Sequence, residues 1–280
     1  MSASQAGLQE IHGPSALGGG ARRFFHLVWV IASTDFKLTY FGSVLGYLWS
    51  LMRPLMLFGV LYVVFSEVVR LGDGVTNYPV LLLLNIVLFT FFQEATQNAV
   101  TSAVLRENLV RKMHFPRMVI PLSTVLTAAF NMMVNMAAVF VFVLAYGVNP
   151  RASWLLFPLI VLLFVTFTAG VAMLLSALYP RYRDVAPIWA VLATLLFYGS
   201  PVLYPIEAVP EDWRAVVLAN PLAALLESAR VAVVDPSAPT VVEAAGSELA
   251  WLVPTVVFVA VCAIGFWVFN REAPRIAEEL

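Results

Sequence analysis

Lysine is nearly missing from this chain: in 280 residues it occurs at positions 37 and 112 only. Charged residues of every kind make up 12% and hydrophobic ones 61%, whereas a soluble domain carries about a quarter charged residues. Mean hydropathy is +0.88. This excludes an ordinary soluble domain and points to a chain that crosses a membrane several times. A single cysteine, Cys262, excludes an internal disulfide; in its apolar run it reads as packing. The histidines, at 12, 26 and 114, have no metal-ligand spacing. Neither lysine ends a Gly-Lys-Ser/Thr phosphate loop, and no His-Glu-x-x-His helix, cysteine cluster or Gly-x-Ser-x-Gly turn occurs. Carboxylates are missing from the centres of the apolar runs, with Glu94 at the edge of one. That weighs against a carrier driven by protons or sodium. No catalytic residue, metal or cofactor bound by this chain is expected, and the net charge of −1 names no partner.

What is present is a series of apolar runs. The polar, Gly-rich residues 1–23 read as a cytoplasmic tail with none of the features of a signal peptide. Residues 24–41 mix apolar groups with Asp35 and Lys37, which suits an amphipathic helix in the membrane interface, or a lead-in to the next span. Six spans are expected at about 44–66, 78–98, 118–146, 153–179, 185–203 and 249–269, before a cytoplasmic tail at 271–280. The fold class is an all-α membrane protein.

Lys and Arg set the orientation. With the N-terminus inside, twelve basic residues are cytoplasmic and four (Arg70, Arg151, Arg214, Arg230) are external. Both termini then lie in the cytoplasm, with the chain in the plasma membrane. The connection 203–248 is too long for a turn and too apolar for a solvated loop. Pro210 and Pro221 each open a short amphipathic helix within about 210–234. These are either re-entrant segments or a small external cap.

The stretch "LRENLVRKMHFPRMVIPL", residues 105–122, gathers Arg106, Glu107, Arg111, Lys112 and Arg117. The second span is expected to run on into a cytoplasmic helix at about 103–115. Leu105, Leu109 and Met113 form its apolar ridge, and Pro116 ends it. Such a helix docks on a soluble partner or lies on anionic lipid.

Five segments in order resemble the membrane subunits of ABC-2-type exporters of lipid-linked polysaccharides. They are "SVLGYLWSLMRPLML", "ENLVRKMHFPRMVIPL", "YPRYRDVAPIW", "SPVLYPIEAVPEDWR" and "NPLAALLESAR". The resemblance covers nearly the whole chain from Phe24, with cargo of O-antigen, teichoic acid or cell-wall galactan type. The Ala- and Val-rich, Lys-poor composition suits a GC-rich actinobacterium, which brings in the lipid-linked galactan of such walls. Arg53 departs from the family pattern, where a neutral polar residue is expected.

The resemblance implies a homodimer with two copies of a cytoplasmic ATPase, which binds the ATP and Mg. It makes 105–115 a coupling helix, with contacts from Arg106, Glu107, Leu109, Arg111, Lys112, Met113 and Phe115. It places an external gate at Pro201, Tyr204, Pro205, Trp213, Asn220 and Pro221. Spans one and five would line the path, where Tyr47, Trp49, Tyr62, Trp189, Phe197 and Tyr198 are candidate stacking surfaces for sugars. Arg22, Arg23, Lys37, Arg181 and Arg183 are candidates for the diphosphate of a lipid-linked polysaccharide, or serve only topology and lipid head groups. Asn131 and Asn135 are expected to bond between helices. Nucleic acid is not an expected partner. The competing readings are a permease for a drug or lipid, a membrane-embedded glycosyltransferase, and a non-transport scaffold.

Overall fold

The computed structural model describes residues 20–40, 44–70, 75–107 and 116–273, and all regular structure among them is helical. The helices are α1 (Ala21–Tyr40), α2 (Val44–Tyr62), α3 (Tyr78–Leu105), α4 (Val119–Ala145), α5 (Phe157–Leu178), α6 (Val185–Gly199), α7 (Glu211–Leu218), α8 (Pro221–Ala229), α9 (Val241–Ala245) and α10 (Leu252–Glu272).

The architecture is organised around α3. Its 28 residues make a rod about 42 Å long. Its core stretch Leu81–Phe89 is buried without a break, as expected of a helix apolar on every side. Asn77, in the left-handed region at φ 54, turns the chain into it, and Pro79 occupies the first turn, where no N–H is needed. Helices α4 and α5 make its broadest contacts, and α2 and α6 add smaller ones.

Helix α1 lies against α4. Phe24, Val28 and Ala32, spaced by four, form its buried stripe, while Phe25 and Trp29 are exposed. Trp29 and Phe36 both meet the Phe130 ring edge-on. The helix begins at Ala21, so Arg22 and Arg23 belong to its first turn and not to the tail. Gly20, at φ +88, immediately precedes the helix, and its carbonyl accepts from the Phe24 N–H at 3.1 Å.

Among the described residues, five helices are long and apolar enough to cross a membrane, within Leu51–Val68, Tyr78–Leu105, Val119–Ala145, Ala152–Leu178 and Leu252–Glu272. The fifth expected span differs. Helix α6 has 15 residues, about 22 Å, less than the ~30 Å of a hydrocarbon core. It stops because Ser200 turns to extended backbone ahead of Pro201. The next residues, Ser200–Leu203, are buried across the head of α3. There the Asn85 amide donates to the Pro201 carbonyl at 2.9 Å, and the Tyr78 hydroxyl to the Leu203 carbonyl at 2.6 Å. Helix α7 and the α8 segment through Val234 meet at a bend of 102°, so they do not form one straight crossing.

The last span packs along α5. A Cβ added at Gly265 would collide with the Gly170 carbonyl oxygen, and one at Gly170 would sit 2.9 Å from the Cys262 Cα. The two backbones touch, as small residues allow between membrane helices. Gly265→Ala is expected to lower thermal stability in detergent by about 1–3 kcal/mol, the range for overpacking. An unchanged melting temperature would refute this close contact.

Candidate functional site

The two ends of the bundle differ in chemistry. At one end, a cluster of buried residues joins five helices: Phe24 and Val28 of α1, Ala103 of α3, Val119 of α4, Met173 of α5 and Phe269 of α10. Around this end lie Arg22, Arg23, Lys37, Arg106, Arg117, Arg181, Arg183 and Arg271. At the other end lie Arg151, Arg214 and Arg230 with the α7–α9 helices.

At the basic end α3 stops at Leu105. Arg106 leaves helical space at φ −110 and ψ 27, so the second span does not run straight on as the sequence suggested. The Arg106 guanidinium instead forms an ion pair with Asp35 of α1 and donates to Ser123 of α4 at 3.2 Å. Three elements are thereby tied where the segment after α3 begins. Asp35 and Ser123 were missed in the sequence; their partners are 71 and 17 residues away. Beside this bond a polar cleft of ≈ 220 Å³ is lined by Glu94, Asn98, Thr101, Thr124 and Thr127. At its side Asn131 donates to Glu94 at 2.7 Å across α3 and α4. Leu109, Arg111, Lys112, Met113 and Phe115 lie outside the described residues, and Glu107 is the last described position before them.

The two arginines between α5 and α6 are exposed. Arg181 sits over the Tyr182 ring at 5.4 Å, and Arg183 over Tyr179 at 5.0 Å. Arg22, Arg23 and Lys37 are exposed along α1.

The candidate stacking aromatics divide. Trp49 and Tyr198 are exposed, at 67% and 62%. Tyr62 is half-buried and stacks on Phe58. The Tyr47 side chain lies outside the described set. Trp189 is a correction: it is buried, its ring rests against Phe92, and its indole N–H donates to Thr96 Oγ1 at 3.0 Å. Its one polar atom and its faces serve packing against α3, so it presents no free ring. Phe197 likewise packs edge-on against Phe89 at 5.2 Å. The exposed face of α6 is Ile188, Val191, Leu192, Leu195 and Tyr198, and that of α2 includes Trp49, Met52, Met56 and Val60.

At the far end the expected gate residues are held by hydrogen bonds. Asn220 caps α8 by accepting from the Leu222 N–H at 3.0 Å, and its amide donates to Ser200 Oγ at 2.9 Å. Pro221 follows as the first helical residue. Pro201 and Pro205 are buried, Tyr204 donates to the Tyr198 carbonyl at 3.2 Å, and Trp213 is exposed. Ser153 and Trp154 donate to the Ala232 and Val233 carbonyls and fasten the start of α5 to the end of this segment.

A charge cluster built on two buried residues and the exposed Glu207, also missed, holds the same region together. Arg230 reaches both oxygens of Glu207, at 2.7 and 2.8 Å, and Glu227 at 3.1 Å. The signal available was Glu227 and Arg230, three apart in an otherwise apolar helix; Glu207 carried none. Burial works to lower the Arg230 pKa, but the hydrogen bond to Glu207 and the nearby carboxylates outweigh it and raise it. Burial also pushes at Glu207, yet the Arg230 hydrogen bonds and charge hold its carboxyl below the ordinary range. Glu227 goes the other way: burial, more than Arg230 can offset, pushes its carboxyl up to about 7.

Residues 26–234 match the family described as ABC-2 type transporter. The O-antigen export system permease protein RfbA of Klebsiella pneumoniae is 34% identical over 207 residues, covering 74% of this chain and 79% of that protein. The protein of the same name from Myxococcus xanthus is 31% identical over 200 residues, 71% of this chain and 76% of its own length. The polysialic acid transport protein KpsM of Escherichia coli is 22% identical over 201 residues, covering 70% and 76%.

The Glu227 shift has a sign that can be tested. Between its ordinary 4.5 and about 7 the folded chain holds more protons than the unfolded one. The stability from neutral Glu227 is therefore complete below the lower value and lost as pH rises through the upper one. The melting temperature of the wild type, relative to Glu227→Gln, is expected to fall between about pH 5 and about pH 8. A difference that does not change with pH would refute the raised value.

Proposed function

Because this chain belongs to the ABC-2 type transporter family, we propose that it is the permease subunit of an ATP-driven exporter whose cargo is a polysaccharide carried on a lipid. The observation that carries the reading is the likeness, along most of the chain, to permeases named for O-antigen export and polysialic acid transport. The chain has no phosphate-binding loop of its own, so the ATP and Mg belong to a separate cytoplasmic ATPase. Two copies of the chain pair through the exposed apolar faces of α2 and α6, which no other described helix covers. Trp49 and Tyr198 stand on those faces and can stack on sugar rings.

The basic end of the bundle is cytoplasmic by the positive-inside rule. The ATPases dock there on residues 105–115. Arg106, paired with Asp35, makes α1 move with that segment. Arg181 and Arg183, exposed on two tyrosine rings, meet the diphosphate of the carrier at the entrance. At the other end, the 200–234 region gates the exit.

Deleting the gene is expected to abolish surface polysaccharide while its lipid-linked precursor accumulates on the cytoplasmic side. Normal surface polysaccharide would overturn the reading. Reversing charge at Arg111 and Lys112 together is expected to abolish co-purification of the ATPase with a chain that still melts at the wild-type temperature. Undiminished co-purification would sink the docking assignment.

A further inference from the structure

The second half of α3 is built inside out for a helix in lipid. Between Phe91 and Ala103 every apolar side chain is buried, and the positions that are not are Gln93, Glu94, Gln97, Asn98 and Thr101. Glu94, Asn98 and Thr101, spaced by four and three, share one face and line the polar cleft of ≈ 220 Å³ between α1, α3 and α4. Glu94 lies about 16 Å back from the end of α3 at Leu105. Polar side chains at such depth face water or protein and not lipid tails. Arg53 of α2 obeys the same rule: it lies in the apolar stretch Leu51–Val68, is exposed, and its charge reaches Glu94. The cleft is thus a hydrated inlet at the basic end. We propose that it binds one uncharged sugar residue of the cargo through Asn98 and Thr101, with Gln97 at its edge, which rests on the cargo being the polysaccharide proposed above.

The charges of the cleft already have counter-charges. Arg106 is paired with Asp35, and Glu94 accepts from Asn131 within the field of Arg53. Lys37, Glu107 and Arg117, the next charges along the chain, do not line it. An anion would meet Asp35 and Glu94, and a cation would meet Arg53 and Arg106, so a diphosphate or a charged lipid head group gains nothing here. Thr124 and Thr127 are committed as well, each donating to a carbonyl of α4, at 3.1 and 2.9 Å. What stays without a partner among the described residues is the Asn98 amide and the Thr101 hydroxyl, both able to donate and to accept. Sugar hydroxyls do the same, whereas an acyl chain would strand these groups. The space equals that of about seven waters, enough for a single sugar ring.

Single cysteines test this, since Cys262→Ala removes the chain's one native thiol. The full chain carrying that change and either Gln97→Cys or Thr124→Cys is placed in lipid nanodiscs and treated with a charged methanethiosulfonate reagent. Both thiols are expected to react, while Val256→Cys, on the exposed face of α10, is expected not to. The probe is the glycan freed by mild acid from the lipid-linked precursor that accumulates in the deletion strain. It should slow both reactions several-fold, whereas inorganic diphosphate and glycerophosphoethanolamine should not. Adding Asn98→Ala with Thr101→Val should leave the thiols reactive and remove the protection. Unreactive thiols, protection by either charged compound, or protection that survives the double change would each overturn the proposal. A deletion strain without accumulated precursor overturns the function proposed above and this site with it; a precursor whose glycan gives no protection overturns the site alone. If the double variant does not fold, the protection pattern of the two single cysteines decides the matter.

Discussion

The first half of helix α3 has no side that faces water or lipid. Its residues from Leu81 to Phe89 are buried all the way round, and that one requirement orders the rest of the bundle. Helices α4 and α5 cover it most broadly, α2 and α6 close the remaining sides, and α1 and α10 pack on the outside of that layer. In a bilayer such association gains little from the hydrophobic effect, since lipid tails are as apolar as leucine. Close packing and the few polar bonds therefore carry more of the specificity than they would in a soluble core. The bonds that reach α3 are placed accordingly: Tyr78 and Asn85 at its start, Thr96 to Trp189 midway, Ser102 beside Ser176 near its end.

The polar chemistry of the two ends follows different rules. At the basic end, charges are exposed or sit over aromatic rings, as with Arg181, Arg183 and Arg271. The exceptions are Arg117, which is buried, and Arg106, whose bond to Asp35 joins α1 to the end of α3. At the other end one arginine is buried, and it is matched by one ionised carboxylate, Glu207, and by Glu227, whose burial favours the neutral acid. A buried arginine left without a partner is costly, so Glu207 keeps the 3-10 turn at Ile206–Ala208 attached to α8.

Most of this fold was legible in the sequence, because span length and apolarity are set by the membrane itself. Five of the six expected spans have a helix in their place, and two short helices form at Pro210 and Pro221, the first with acidic residues in its first turn. What was not legible depended on distant partners. Trp189 reads as one more aromatic in a span until α3 brings Thr96 beside it, 93 residues away in sequence. Helix α6 reads as a full span because Pro201–Leu203 is as apolar as a helix; that Tyr78 and Asn85 capture its carbonyls is invisible locally. The break at Arg106 comes where its guanidinium meets Asp35, 71 residues away, and nothing near residue 106 announces it. Of the proposed site, the basic residues and the exposed aromatics followed from type and position, whereas which rings turn inward followed only from packing.

Asn220 bears on how the far end can move. One side-chain amide both begins α8 and grips Ser200, the residue at which α6 ends. The two helices share a single knuckle, so α6 cannot shift along its axis without either dragging the start of α8 or uncapping it. With the right-angled bend to α7 on the other side of the same residue, a small sliding motion of α6 would be converted there into a tilt of the whole α7–α8 elbow.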